Sequence, residues 1–355
     1  MEPLEYIQIY GTAILILTAI AGLGILPMKL TEIKQNKHLH KIEKKHYNTV
    51  QKFRNIINND TYMNKIKKEY KSSLIKVSTI ITLIIISIII STIIFYDYVD
   101  KFIQIPILLI IIVTIIGIAK ISIISTKKFE YIYYYKNNII KLILKEHNSK
   151  YTYNPYGQIT ETMYAEAEFE NKNEYDIYTS EDRIDGNING YNFTMAEVNL
   201  QKIRTSKDEY TFYVPLFNGP VAIITIPEFV KIDLYILNKQ TKSSHLFLKQ
   251  IEIDNSIFEE IYNVYSDDEI LAMRILTPSI TNKILDLYNQ HNLNFEIRIK
   301  NNTFYLRFRT ENLFAPNIKD SKKEAANAVK YLEILKGIEQ IMSEIMIIAE
   351  SLKNI

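Results

Sequence analysis

Long apolar runs alternate with basic stretches over the first third of the chain, and shorter patterns of period two and period 3.6 follow. Tyr6 to Met28, Val77 to Tyr96 and Phe102 to about Ser125 each reach the roughly 20 residues a helix needs to cross a bilayer. The third is interrupted only by Lys120, near one end. Their Ile-rich sequences form helices poorly in water, but in lipid the backbone must satisfy its own hydrogen bonds. The runs contain no Asp, Glu, His or Arg, so they read as anchors rather than as an ion or proton path. The first could instead be a signal peptide, although its leading residues, "MEPLEYIQ", are acidic rather than basic.

Lys29 to Lys76 holds 13 basic and 4 acidic residues, whereas the loop "DYVDK" and the N-terminus are acidic. The bias predicts a multi-pass protein of the cell (inner) membrane, N-terminus outside and C-terminal domain in the cytoplasm. The expected organisation is a first transmembrane helix over 1–28, a basic cytoplasmic helical connector over 29–76, a transmembrane hairpin over 77–126 and a cytoplasmic α+β domain over 127–355. The connector should be helical with a break at Asn58 to Asp60. Its lysines either touch anionic lipid or only set topology. They also crowd His38, His40 and His46 against holding a cation.

Beyond the third run, Phe129 to His147 reads as a helix and Thr160 to Glu170 as a short acidic one. Strands follow. Ile184–Ile188 and Tyr191 to about Ile203 flank Asn189-Gly190, a strong two-residue hairpin signal. Tyr210–Phe217 and Val221–Ile226 flank "NGP", read as another turn, and Val230–Leu237 comes next. Ser266 with Glu269 has capping-box spacing, and Thr277-Pro278 reads as an N-cap followed by a first helical position. A second hairpin around Asn301-Asn302 would set Phe295, Ile297 and Ile299 opposite Phe308, Leu306 and Phe304, with Glu296 opposite Arg307 on the other face. A long helix closes the chain, with Ser321 and Glu324 in capping-box spacing. Leu335, Ile338, Met342, Ile345, Ala349 and Leu352 form a short heptad seam along it. Such a seam packs on its own domain more often than it zips to a partner, and an oligomer through this helix stays open.

Charge and composition narrow the chemistry. With no Cys, disulfides and thiolate metal sites are excluded. Residues 129–355 carry 25 basic and 32 acidic residues, net −7, so nucleic-acid binding is not expected. The chain has neither a nucleophile elbow nor a phosphate-cradling glycine loop. "DGNINGYNFTMAE", Asp185 to Glu197, begins like a calcium loop, but position twelve is Ala196 where a bidentate Glu is needed. Hairpin pairing explains the alternation better: Ile188 with Tyr191, Gly186 with Phe193 and Ile184 with Met195 on one face, Asn187 with Asn192 and Asp185 with Thr194 on the other. Glu197 then continues the apolar face, either turned out by a bulge or buried with a partner. Asp182 and Glu197 come close in this pairing. Asp267, Asp268 and Glu269 form the sharpest acid cluster, read mainly as helix capping. If a site exists, Asp182, Glu197, Asp267 and Asp268 are its candidates; no catalytic, metal or cofactor residue is assigned.

"SEDRIDGNINGYNFTMAEV" (Ser180 to Val198), "LFNG" (Leu216 to Gly219) and "FEEIYNVYSDDEILAMRILTP" (Phe258 to Pro278) stand in order along the chain. Together with the hydrophobic hairpin, helix and Tyr-x-Pro of Lys127 to Pro155, they resemble a family of bacterial membrane proteins catalogued as domain of unknown function 3137. The resemblance spans roughly residues 65–355. It implies membrane anchoring and work alongside LemA-type membrane proteins, and it brings no catalytic residues. The run Tyr6 to Met28 departs from the family, whose members have two spans. The expected fold is therefore α+β: a three-helix membrane anchor, then an antiparallel sheet with flanking helices and a long C-terminal helix. The expected function is a non-enzymatic protein-interaction or scaffold role, its partners the lipid bilayer and a membrane protein. A lipid-headgroup-binding domain is the alternative, and an enzyme using clustered carboxylates the third reading.

Overall fold

The computed structural model describes residues 39–94, 122–148, 150–206, 209–225, 231–239, 241, 248–310, 314–316 and 318–352. Helix α1 spans Tyr47–Asn59 and α2 spans Thr61–Ile94. The break falls where expected: Asp60 Oδ1 accepts the Met63 N–H at 2.8 Å and so caps α2. Val50, Phe53 and Ile57 of α1 and Met63 and Ile66 of α2 are buried in the main core. The basic connector is thus built into the folded body.

The expected three-helix transmembrane anchor is corrected by this structure. Among the described residues no helix is long and apolar enough to cross a membrane. The first part of α2 carries Lys65, Lys67, Lys68, Glu69, Lys71 and Lys76, too much charge for a bilayer interior. The multi-pass membrane localisation, with its inside and outside, rested on those spans and is withdrawn with them. Tyr6 to Met28 and most of Phe102 to Ser125 lie outside the described residues.

Residues 122–134 are helical and run into a π-helical turn, Tyr135–Ile140, and then α3, Lys141–His147. The remaining elements are β1 (Thr152–Asn154), α4 (Glu161–Ala165), β2 (Ile177–Ile188), β3 (Tyr191–Thr205), β4 (Thr211–Thr225), β5 (Leu234–Asn238), β6 (Lys249–Ile251), α5 (Ser256–Ile261), β7 (Tyr262–Ser266), α6 (Glu269–Ile275), α7 (Pro278–His291), β8 (Phe295–Lys300), β9 (Thr303–Phe308) and α8 (Ser321–Leu352). The strands form one antiparallel sheet in the order β1-β2-β3-β4-β9-β8-β5-β7-β6. The α+β antiparallel part of the expected fold is therefore observed.

Alternation divides the sheet into two unlike faces. Phe295, Ile297 and Ile299 pair with Phe308, Leu306 and Phe304 as the sequence predicts, and all six lie in the main core with the helices. The opposite face carries Glu296, Arg298, Tyr305 and Arg307, beside a second, smaller apolar cluster that includes Tyr164, Phe169, Val198, Leu200 and Phe217. The seam residues Leu335, Ile338, Met342, Ile345 and Ala349 of α8 are buried in the main core of their own chain.

Three local expectations change. "NGP" is not a turn: β4 runs straight through it, with Asn218, Gly219 and Pro220 opposite Asn199, Val198 and Glu197. Gly219 has φ +157°, and a Cβ there would collide with the Phe308 carbonyl oxygen. The glycine serves close approach to the end of β9. Ser266 ends β7, and Asp268 caps α6 in its place, accepting the Leu271 N–H at 2.9 Å. Asp320 caps α8, accepting the Lys322 and Lys323 N–H groups at 2.9 and 3.1 Å. Thr277 and Pro278 open α7 as expected.

Candidate functional site

The hairpin of β2 and β3 turns at Asn189-Gly190, both with positive φ (51° and 93°), as a tight two-residue turn requires. Ile188 faces Tyr191, Asn187 faces Asn192, Asp185 faces Thr194 and Ile184 faces Met195, the register read from the sequence. The ladder then slips. Glu181 pairs with Glu197, so Asp182 and Arg183 together oppose Ala196, and Asp182 adopts φ +59°. This bulge turns the Asp182 carboxyl inward.

Asp182 and Glu197 are both buried, and their carboxylates lie with that of Glu181 within 4.8 Å of one another. Lys136, from the π-helical turn, brings Nζ to 2.5 Å from Asp182 and 3.3 Å from Glu181. Tyr153 donates its hydroxyl to Asp182 at 2.5 Å. Burial raises the Asp182 pKa against the opposing pull of Lys136. Burial lowers that of Lys136, but Asp182 and Glu181 outweigh it and the net direction is up. The ammonium therefore fills the place a bound cation would take, and the cluster ties the bulge of β2 to the helix layer.

The other candidates sit far away. Five strands separate β2 from β7, where Asp267 follows. Asp267 accepts the Asp233 N–H at 2.8 Å, Asp268 caps α6, and Glu269 pairs with Lys249 at 2.7 Å. Capping and pairing account for all three, and the acids converge on no common cleft.

The open face holds a denser network. Arg307, fully buried, donates to Glu296 at 2.7 Å through Nε and to Glu170 at 2.7 Å through a terminal nitrogen. It also donates to the Tyr164 hydroxyl, which in turn donates to Glu170 at 2.6 Å. Its guanidinium lies over the rings of Phe169 and Phe217, at 4.2 and 4.6 Å. Burial opposes its charge, but Glu296 and its neighbours outweigh burial and hold its pKa above the ordinary value. Arg298, two residues past Glu296 on β8 and on the same face, stacks on Tyr235 at 3.6 Å and pairs with Asp233 and Glu168. Burial pulls its pKa down to about 10.

Beside Arg307 opens a cavity of about 770 Å³, lined among others by Glu170, Lys202, Arg204, Asn294, Glu296 and Arg309. This is within the usual size range of ligand sites, about 300–1,000 Å³. At its rim the β3–β4 hairpin overruns its neighbours. Gln201 to Thr205 and Thr211 to Pro215 pair with each other, while β2 begins at Ile177 opposite Gln201 and β9 meets β4 only from Val221 onward. The overhang exposes Tyr210 (75 %), Tyr213 (60 %), Phe212 (48 %) and Ile203 (41 %). Sequence reasoning paired Glu296 with Arg307 but missed Glu170, Tyr164, Lys136 and the overhang. Tyr210, Phe212 and Tyr213, three aromatics within four residues, break strand alternation and were the available signal for the last.

Residues 215–346 match the family described as "Protein of unknown function (DUF3137)". The resemblance read from the sequence is thereby shown over that part of the chain. No curated protein matches the chain. Among solved structures, the crystal structure of the mycobacterial trehalose monomycolate transport factor A, TtfA, is similar at 10% identity and a TM-score of 0.30, covering 56% of this chain and 93% of that one. A likeness at that level carries no inference for fold or function.

Proposed function

We propose that this chain is a non-enzymatic protein-interaction module whose docking surface is the β3–β4 overhang, where it borders the polar cavity of the open face. The observation that carries it is the overhang itself. A two-stranded ribbon is marginal alone in water, yet this one exposes Phe212 opposite Arg204 on the cavity side and Tyr213 opposite Ile203 on its other side, with Tyr210 just before them. Clustered exposed aromatics are the side chains that anchor protein interfaces. Beside them, Glu170 and Glu296 are committed to Arg307. That suits a rigid binding wall better than acid–base turnover.

A photo-reactive benzoylphenylalanine in place of Tyr213, with a control at exposed Ile270 on α6, tests the reading in cells. The expected result is one discrete protein adduct from position 213, absent from position 270 and lost when Tyr210→Ser and Phe212→Ser are added. Equal labelling from both positions, or none from 213, would remove the proposal.

A further inference from the structure

We infer that the cavity receives carboxylates of an acidic, extended segment of the partner protein, bound by Arg204 and Arg309; this rests on the protein-interaction reading and adds the chemistry of the occupant. The domain as a whole is acidic, net −7 over residues 129–355. At the cavity this acidic excess is offset: the lining brings Lys202, Arg204, Arg307 and Arg309 against Glu170, Glu174 and Glu296. Glu170 and Glu296 share one cation, Arg307. Lys202 is held by Asp176 Oδ1 and the Asn173 carbonyl, each at 2.9 Å. Glu174, also on the wall, sits with the Asn171 side-chain amide at 3.4 Å.

Arg204 and Arg309 differ. Among the described residues neither forms an ion pair with a carboxylate. Arg309 donates to the Leu216 carbonyl and lies over the Phe217 ring at 5.6 Å, so neutral groups aim it while its charge stays unspent. Arg204 is exposed on β3, on the cavity wall. Two guanidinium groups on the wall of a concave polar site, one of them aimed by neutral contacts, select a planar anion such as a carboxylate. Among the described residues the part of β4 before Phe217 has no ladder partner on that side, and a strand added there places alternate side chains toward the cavity, by Arg204 and Phe212, and toward the other side, by Ile203 and Tyr213. An acidic segment alternating with apolar residues meets both surfaces.

Fluorescence polarisation on the purified full-length chain tests this. The probes are end-blocked, fluorescein-labelled peptides of alternating Leu-Glu, Leu-Gln and Leu-Lys. The Leu-Glu peptide is expected to bind about tenfold or more tightly than the other two and to weaken as salt is raised. It should also lose about tenfold in an Arg204→Gln/Arg309→Gln variant whose thermal melt is unchanged, because both side chains lie at the surface. Equal binding of Leu-Glu and Leu-Gln, or binding indifferent to the two substitutions, overturns the inference. So does flotation with phosphatidylglycerol vesicles that is lost in the same variant while no peptide binds, since the cations would then serve a lipid headgroup. If position 213 yields its cross-linked protein while Leu-Glu shows no preference, the acidic occupant falls and the interaction reading stands. A Leu-Glu preference without the cross-link removes the partner protein and leaves only a carboxylate-binding cavity.

Discussion

The two faces of the sheet solve opposite problems with one set of strands. On the covered face, Phe295, Ile297, Ile299, Phe304, Leu306 and Phe308 meet the helices in an apolar seal. On the open face the intervening residues of the same two strands, Glu296, Arg298 and Arg307, are buried charges. The apolar seal needs only size and pattern. The buried charges need partners from elsewhere in the chain, and each supplies orientation as well as energy. A face held by charge-assisted bonds is stiff and polar, which suits recognition, whereas the covered face leaves nothing to recognise.

The largest effect should come from breaking the open-face network. Arg307→Leu leaves Glu296 and Glu170 without their cation, and urea unfolding should show a loss of about 3–5 kcal/mol. A loss under about 1 kcal/mol would mean that the face is wetter and looser than described.

The covered side has a single-site test of its own. Glu324 of α8 is buried, accepts the Tyr131 hydroxyl at 2.8 Å on both oxygens and lies 3.4 Å from Lys67 of α2. Burial pushes its pKa up to about 7 from an ordinary 4.5. A carboxyl whose folded pKa exceeds its unfolded value binds protons better when folded. Stability should therefore fall as pH rises from about 4.5 to 7 and level off above, by about 3 kcal/mol in all. Glu324→Gln should flatten that slope in denaturation curves taken across the window, and an unchanged slope would assign it to another group.

Smaller still is Gly219→Ala. Its methyl would strike the Phe308 carbonyl, and overpacking of this kind costs about 1–3 kcal/mol in thermal melts. A neutral result would mean that β4 and β9 can separate at little cost. At the bottom of the scale, Tyr210→Ser should change stability by less than about 0.5 kcal/mol, because its side chain is exposed. A larger loss would mean that the overhang supports the fold instead of awaiting a partner.

Local pattern carried much of this into the sequence. Both hairpin registers follow from alternation and from Asn-containing turns, where Asn189, Gly190, Asn301 and Asn302 all have positive φ. The Glu296–Arg307 pair follows from register alone, whereas Asp182 reaches Glu197 through a bulge that slips the ladder by one residue. What failed was whatever depends on distant partners. Gly219 looked like a turn residue because the Phe308 carbonyl it accommodates lies far along the chain. Ser321 and Glu324 looked like a capping box, but Tyr131 draws Glu324 into the helix layer. Lys136 and Tyr153, which hold Asp182, come from a helix and strand that no spacing connects to it. Hydropathy likewise predicted a membrane anchor by counting apolar runs, and it could not see that α2 begins inside the folded body.

Hydrogen exchange on the full-length chain, with and without the Leu-Glu peptide, tests the division between the faces most directly. Added protection is expected at Thr211 to Leu216 and across Gln201 to Thr205, with none in α7 or α8. Protection centred on α8, or spread evenly over both faces, would contradict the assignment of the open face as the docking surface.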